Sequence, residues 1–533
     1  MRNLLRGKSA ARVRQACRRS AWTRYNTLVI VRARSLIPLL LFLLAGCATL
    51  AGPIQSPMPL ATPSATTPPT ARPLTPTAAA TDTGLTPPTP TALPTTTPLP
   101  AEQTQYTLDA QLDYTAHTLE VTEVVSYTNT TTETLEALLF VVEANLFPGA
   151  FRLGMVTWAD GRQAAGVSLS GRELRIPLAA PLAAGSRLTL KITYSLILPP
   201  IPPPSETTRP QVFGYTQRQT NLVDWYAFLP PYRPGQGWLV HEPWFYGETL
   251  VYDVADYRVL LSRSDTTPPV TVAASAPAQF DGSTYRYQFE DARSFALSIG
   301  SEYHVFSETV GAVTVYSYAF PYHTVGAKAA LQDTARALAL YSELFGAYLH
   351  TSLSVVEADF LDGMEFDGLY FLSNGFYNLY DGSPRGYLTM IAAHETAHQW
   401  WYGRVGNDQA LEPWLDEALC TYSERLFYER YYADMLAWWR YFRIDYYEPT
   451  GWVNRGVYAY QGFLPYRNAV YLRGALFLED LRVRMGDEAF LAFLREYATR
   501  YDGKQATAAD FFGLLAIYSP TDISDVVATY FEP

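Results

Sequence analysis

Cysteine and histidine are scarce in this chain, with 3 and 7 of them in 533 residues. Three cysteines, Cys17, Cys47 and Cys420, are too few for a disulfide-built fold. The one conspicuous early apolar run, residues 36–44, is too short to anchor stably across a bilayer. A basic excess is also missing. Ten of the 40 Lys and Arg fall in the first 46 residues, which hold no acid, and the rest of the chain sets 30 basic against 51 acidic residues. That balance, about −21, argues against nucleic acid or anionic lipid headgroups as partners.

What is present at the start reads as an export signal. The basic stretch and apolar run lead directly into Leu44-Ala45-Gly46-Cys47. That segment resembles the lipobox of bacterial lipoproteins, which implies an acylated Cys47 as the first mature residue. An ordinary signal peptide cut nearby is the alternative, and both readings place the protein outside the cytoplasm. Residues 48–100 are mostly Thr, Pro and Ala with almost no charge. Such a segment cannot bury enough surface to fold and is expected to be an extended tether. The expected organisation is a leader over 1–46, lipidated Cys47 and tether over 47–104, a β domain over 105–310 and a second domain over 311–533.

Against that scarcity of histidine, His394-Glu395-Thr396-Ala397-His398 stands out. Histidines four apart on a helix share a face, so two imidazoles can converge on one Zn²⁺. Glu395 is then placed to take a proton from water at the metal. Glu417, nineteen residues after His398, is the candidate third ligand. Three protein ligands leave one tetrahedral position open, the mark of a catalytic zinc site, with one Zn²⁺ per chain. Ser383-Pro384 reads as the N-cap and first residue of the helix carrying the histidines, and Gly403 as its stop. Pro413 opens a second helix, over residues 414–432, with Glu417 in its first turn.

Residues 105–300 alternate apolar with polar, as in Tyr106–Tyr114, Leu119–Val125 and Leu188–Tyr194, which fits an antiparallel sandwich. A short β segment near residues 312–318 leads into helical spacing that stops at Gly346, and a strand over 353–360 precedes the histidine helix. Helices are expected over 467–485, 488–501 and 508–518. The fold class is therefore α+β and multidomain: a β-sandwich followed by a thermolysin-like, mostly helical zinc domain. No internal repeat is visible.

With these motifs in place, residues 105–530 resemble the zinc aminopeptidases of the aminopeptidase N family, which includes leukotriene A4 hydrolase. His394 through Trp401 resembles the family's zinc helix, and Trp414-Leu415-Asp416-Glu417-Ala418 its Trp-Leu-Asn-Glu-Gly element. Gly363-Met364-Glu365-Phe366 resembles its Gly-Ala-Met-Glu-Asn strand, with Asp362 in place of the first Gly and Phe366 in place of the Asn. The resemblance implies that Glu365 binds the substrate α-amine. Tyr471-Leu472-Arg473-Gly474 resembles the family's Tyr-x-Lys-Gly, implying Tyr471 as oxyanion stabiliser. Thr216-Gln217-Arg218-Gln219 similarly nominates Gln219 near the amine. Trp438-Trp439 and Cys420 read as packing, and His241 as superfluous to a site that already has three ligands. The implied activity is removal of N-terminal residues from peptides by a lipid-anchored surface enzyme. A zinc endopeptidase with an open cleft and a non-catalytic surface-binding protein are the alternatives.

Overall fold

The computed structural model describes residues 103–203 and 211–533. The leader, Cys47 and almost all of the tether lie outside the described residues. Among those described, no helix is long and apolar enough to cross a membrane.

The alternating segments pair into a seven-stranded sheet whose centre is Ala255–Arg263, Thr104–Asp113, Thr118–Thr128 and Arg187–Ile197. Period-two patterning puts Tyr106, Leu108, Ala110 and Leu112 on the buried side of one strand while their neighbours face outward. A three-stranded sheet of Leu135–Val141, Glu173–Leu182 and Ser168–Ser170 contributes Leu138, Phe140, Leu174 and Ile176 to the same core. One pairing departs from the antiparallel expectation: Thr104–Asp113 runs parallel to Ala255–Arg263. The two strands are separated by some 140 residues of chain, enough for the second to return in the same direction.

A five-stranded sheet then joins the β region to the helices, in the order His304–Val310, Val313–Ala319, Ser352–Ala358, Leu369–Ser373, Gly363–Phe366. Helix Thr324–Phe345 is the crossover between its first two parallel strands and stops before Gly346. Strand Ser352–Ala358 is buried on both faces: Leu353 and Val355 join the helical core, Val356 and Ala358 the β core. That explains its unbroken apolar reading.

The helix carrying the histidines spans Tyr387–Ala397, and His398 is its C-cap residue. It starts later than Ser383-Pro384 suggested, because the Ser383 hydroxyl accepts from Arg385 within its own turn and extended Gly386 precedes the helix. It also ends before Gly403. Trp400 N–H and Trp401 N–H both turn back to the Ala397 carbonyl, and both tryptophans are buried in that turn, so apolar spacing outlasts the helix. Trp414–Tyr431 follows, capped by Pro413. Further on, Phe463–Arg467 runs through a π-helical turn, Asn468–Arg473, into Gly474–Met485. Asp487–Arg500, Ala508–Tyr518 and Ser524–Tyr530 complete the helical layer.

Candidate active site

His394 sits in the last turn of its helix and His398 at its cap, with a hydrogen bond from His398 N–H to the His394 carbonyl. Their rings lie 5.0 Å apart between centroids. Glu417, in the first turn of the next helix, brings Oε2 to 3.2 Å from His394 Nε2 and 3.8 Å from His398 Nε2. All three ligand atoms lie within 4.8 Å of one another, and all three residues are buried.

The far side of each ring is also held. His394 Nδ1 lies 2.9 Å from Glu424 Oε1, and His398 Nδ1 lies 3.1 Å from the Trp401 carbonyl. Acceptors there keep the hydrogen on Nδ1 and leave each Nε2 lone pair facing the gap. Burial, and then His394, push the His398 imidazole well below its usual range, which keeps it neutral. Glu424 is fully buried. Burial alone would raise its carboxyl, but Arg443 and His394 hold it below the ordinary value. Arg443 Nη2 reaches Glu424 Oε1 at 2.8 Å, and Trp439 Nε1 donates to Oε2 at 3.0 Å.

Two imidazoles and one carboxylate make a zinc donor set, and ligands on a tetrahedral zinc stand about 3.3 Å apart. The Glu417 oxygen lies near that spacing from both histidines, at 3.2 and 3.8 Å. The residues present therefore fit a zinc ion.

Glu395 and Glu365 close the site from the strand side. Strand Gly363–Phe366 passes so near Glu395 that a Cβ on Gly363 would lie 2.1 Å from Glu395 Oε1, which leaves room only for glycine. Asp362, where the resembled family has glycine, takes the left-handed φ of +84° that this turn requires. Gln399 fixes the register: Nε2 donates to the Phe366 carbonyl and Oε1 accepts from Gly368 N–H. Carboxyl oxygens of Glu365 and Glu395 and a nitrogen of His398 lie within 4.8 Å of each other. Burial, then neighbouring carboxylates, push both glutamates well up. Glu395 Oε2 is buried and meets no hydrogen-bond partner among the described residues.

Tyr471, half-buried in the π-helical turn, lies parallel to the His394 ring at 6.0 Å and donates its hydroxyl to Glu417 Oε1. Gly474 lets its helix approach closely, since a Cβ there would sit 2.4 Å from that of Ala418. The structure thus brings His394, His398, Glu417, Glu395, Glu365 and Tyr471 together.

Gln219 is different, and its expected role near the amine is corrected. It is fully buried in strand Gln219–Leu222, where Oε1 accepts from Asp359 N–H and Nε2 donates to Asn221 and Tyr303. Its amide is occupied and offers nothing to a ligand. The side chain that does touch Glu365 is Gln409, whose Nε2 donates to Glu365 Oε1 at 3.1 Å. Beside it, Asp408 faces His241 Nε2 at 2.8 Å, so His241 anchors this loop. From the β region, half-buried Glu248 adds negative potential at Glu365 and Glu417. Glu424 had a faint signal in the sequence: it lies seven residues after Glu417, two turns along one helix face. Gln409 and Glu248 had none. Cys420 is buried.

Residues 329–530 match the peptidase family M1 domain. The M1 zinc metallopeptidase from Deinococcus radiodurans shares the fold, with a TM-score of 0.58 at 18% identity over 81% of this chain and 93% of that one. A variant of the Deinococcus enzyme solved with a Tyr-Ser-Ala substrate aligns with the same TM-score, at 17% identity over 81% of this chain and 94% of its own. No curated protein matches the chain.

Proposed function

We propose that this chain, which carries a peptidase family M1 domain and is a zinc metallopeptidase, is an aminopeptidase acting on peptide N-termini at a cell surface. One observation carries the exopeptidase reading. Glu365, which is neither in the His394–His398–Glu417 trio nor the candidate base, presents a buried carboxyl oxygen within 4.8 Å of Glu395 and His398. A carboxylate so close to the reacting groups can hold an α-ammonium only one residue from the scissile bond, which favours cleavage at the N-terminus. The Deinococcus relative crystallised with Tyr-Ser-Ala supports a peptide ligand.

His394, His398 and Glu417 would hold the zinc. When bound, it supplies Lewis-acid polarisation of the scissile carbonyl and acidifies water. Glu395 takes the proton of the attacking water and passes it to the leaving amine; its partnerless Oε2 suits a group that exchanges protons with ligand. Tyr471 turns its hydroxyl towards the oxyanion as charge develops. Glu424, with Arg443 behind it, holds the His394 ring in place, and Gln409 orients Glu365.

Localisation rests on the sequence alone: Cys47 is read as lipidated and residues 48–100 as a tether at a bacterial membrane. Cys47→Ser should abolish labelling by a palmitate analogue and leave activity intact, and labelling that persists removes this assignment. The activity itself is tested with free and N-acetylated aminoacyl reporters. Cleavage confined to the free amines supports the reading, and internal cleavage of N-acetylated peptides at equal rate replaces it with an endopeptidase.

A further inference from the structure

We infer that Arg467 binds a carboxylate on the leaving-group side of the scissile bond, supplied by the C-terminus of a short peptide or by an acidic side chain. The inference rests on the aminopeptidase reading, which fixes the direction of the substrate along strand Gly363–Phe366.

The charges along that strand are unevenly placed. At the Glu365 end stand Gln409, Asp416 and Glu248, the setting proposed for the ammonium. Gly363 lies against Glu395, and a peptide held by its ammonium at Glu365 would continue past it towards Asp362. Two cations belong to the elements behind that end: Arg443, which feels the charge of Asp362, and Arg467, in the helix that leads into the Tyr471 turn. Arg443 is engaged, with Nε and Nη2 both on Glu424.

Arg467 is not so engaged. It is half-buried, and among the described residues no carboxylate comes within ion-pair distance of it. Its Nε and Nη2 donate to the neutral Asn468 Oδ1, at 3.3 and 2.8 Å, and Tyr447 is its other partner. Its guanidinium lies 3.9 Å over the Tyr447 ring, and the Tyr447 hydroxyl is 3.4 Å from that of Tyr387, the first residue of the histidine helix. Tyr471 follows four residues later, in the π-helical turn of the same continuous helix. Burial lowers the Arg467 guanidinium below its usual range; Tyr447 offsets part of that, and the neighbouring charge of Arg443 adds to it. A guanidinium fork four residues before Tyr471 on one helix, with no acid paired to it among the described residues, suits an incoming carboxylate.

The test measures binding to the zinc-loaded Glu395→Gln enzyme, in which turnover is removed. Calorimetric titration compares tri-alanine, its C-terminal amide, its N-acetyl form and the amide of Ala-Glu-Ala. A charged hydrogen-bond partner is worth roughly tenfold at a half-exposed position. Tri-alanine should therefore bind about tenfold tighter than its amide, or Ala-Glu-Ala amide tighter than tri-alanine amide; the arm showing the gap identifies the source of the carboxylate. Adding Arg467→Met, which keeps the stem on Tyr447, should close the gap and leave the affinity of tri-alanine amide unchanged. Arg467→Lys should retain part of it. Absence of any carboxylate preference, or a gap that survives Arg467→Met, overturns the inference. Equal binding of the N-acetyl form would instead count against the Glu365 reading.

Discussion

The β region and the catalytic region both bury carboxyl groups, and they do so in different ways. In the sandwich, Glu123 is fully buried by itself, accepting from the Tyr194 hydroxyl at 2.9 Å and from Ala227 N–H at 3.2 Å. Burial pushes its carboxyl up to about 8, so at neutral pH it stays largely protonated and needs no counter-charge. In the catalytic region Glu365, Glu395, Asp416 and Glu417 are buried together, each raised by burial and then by other acids. A lone acid relieves its burial by keeping a proton. A cluster aimed at two histidine nitrogens is costly to keep unless a cation joins it. The contrast separates an acid that belongs to the fold from acids gathered in a cluster that fits a metal.

That contrast can be broken by removing charges one at a time. Glu395→Gln keeps size and hydrogen bonding but removes the base, so turnover should fall by roughly 10²–10⁴-fold while zinc content stays the same. Glu365→Ala should lower kcat/KM on free-amine substrates by about 10–150-fold and leave any slow cleavage of N-acetylated peptides unchanged. Glu424→Gln leaves the zinc trio intact but loosens His394, and should weaken zinc affinity by about 10–100-fold in a chelator competition.

The smallest effect concerns Glu123. Its folded value, about 8, lies above the ordinary carboxylate value, so the folded state keeps a proton that the unfolded chain releases. The stability this provides is complete below pH ~4.5 and is lost as pH rises to about 8. Glu123→Gln carries no such proton, so its Tm should fall less than the wild type's across that window. Parallel Tm curves for the two proteins would show that Glu123 is not held neutral.

Some of this was legible in the sequence and some was not. His394, His398 and Glu417 could be selected because helical spacing and a nineteen-residue gap constrain where side chains point. Strand alternation likewise marked Tyr106 through Leu112 as a half-buried strand. Gln219 misled because a motif match cannot say whether an amide is free, and here Asp359, Asn221 and Tyr303 take it. The π-helical turn at Asn468–Arg473 left no trace, since apolar spacing reads as α-helix straight through it. Glu248 and Gln409 reach the site from loops, where no periodicity assigns a direction. Pairings of that kind are set by tertiary packing.

The central claim is that the buried acids and histidines of the catalytic region gather around one zinc ion. Metal analysis of the purified protein, beside its His394→Ala/His398→Ala double variant, tests it directly. About one zinc per chain in the wild type and almost none in the double variant is the expected result. Near-stoichiometric zinc retained by the folded double variant would place the metal elsewhere and contradict the account.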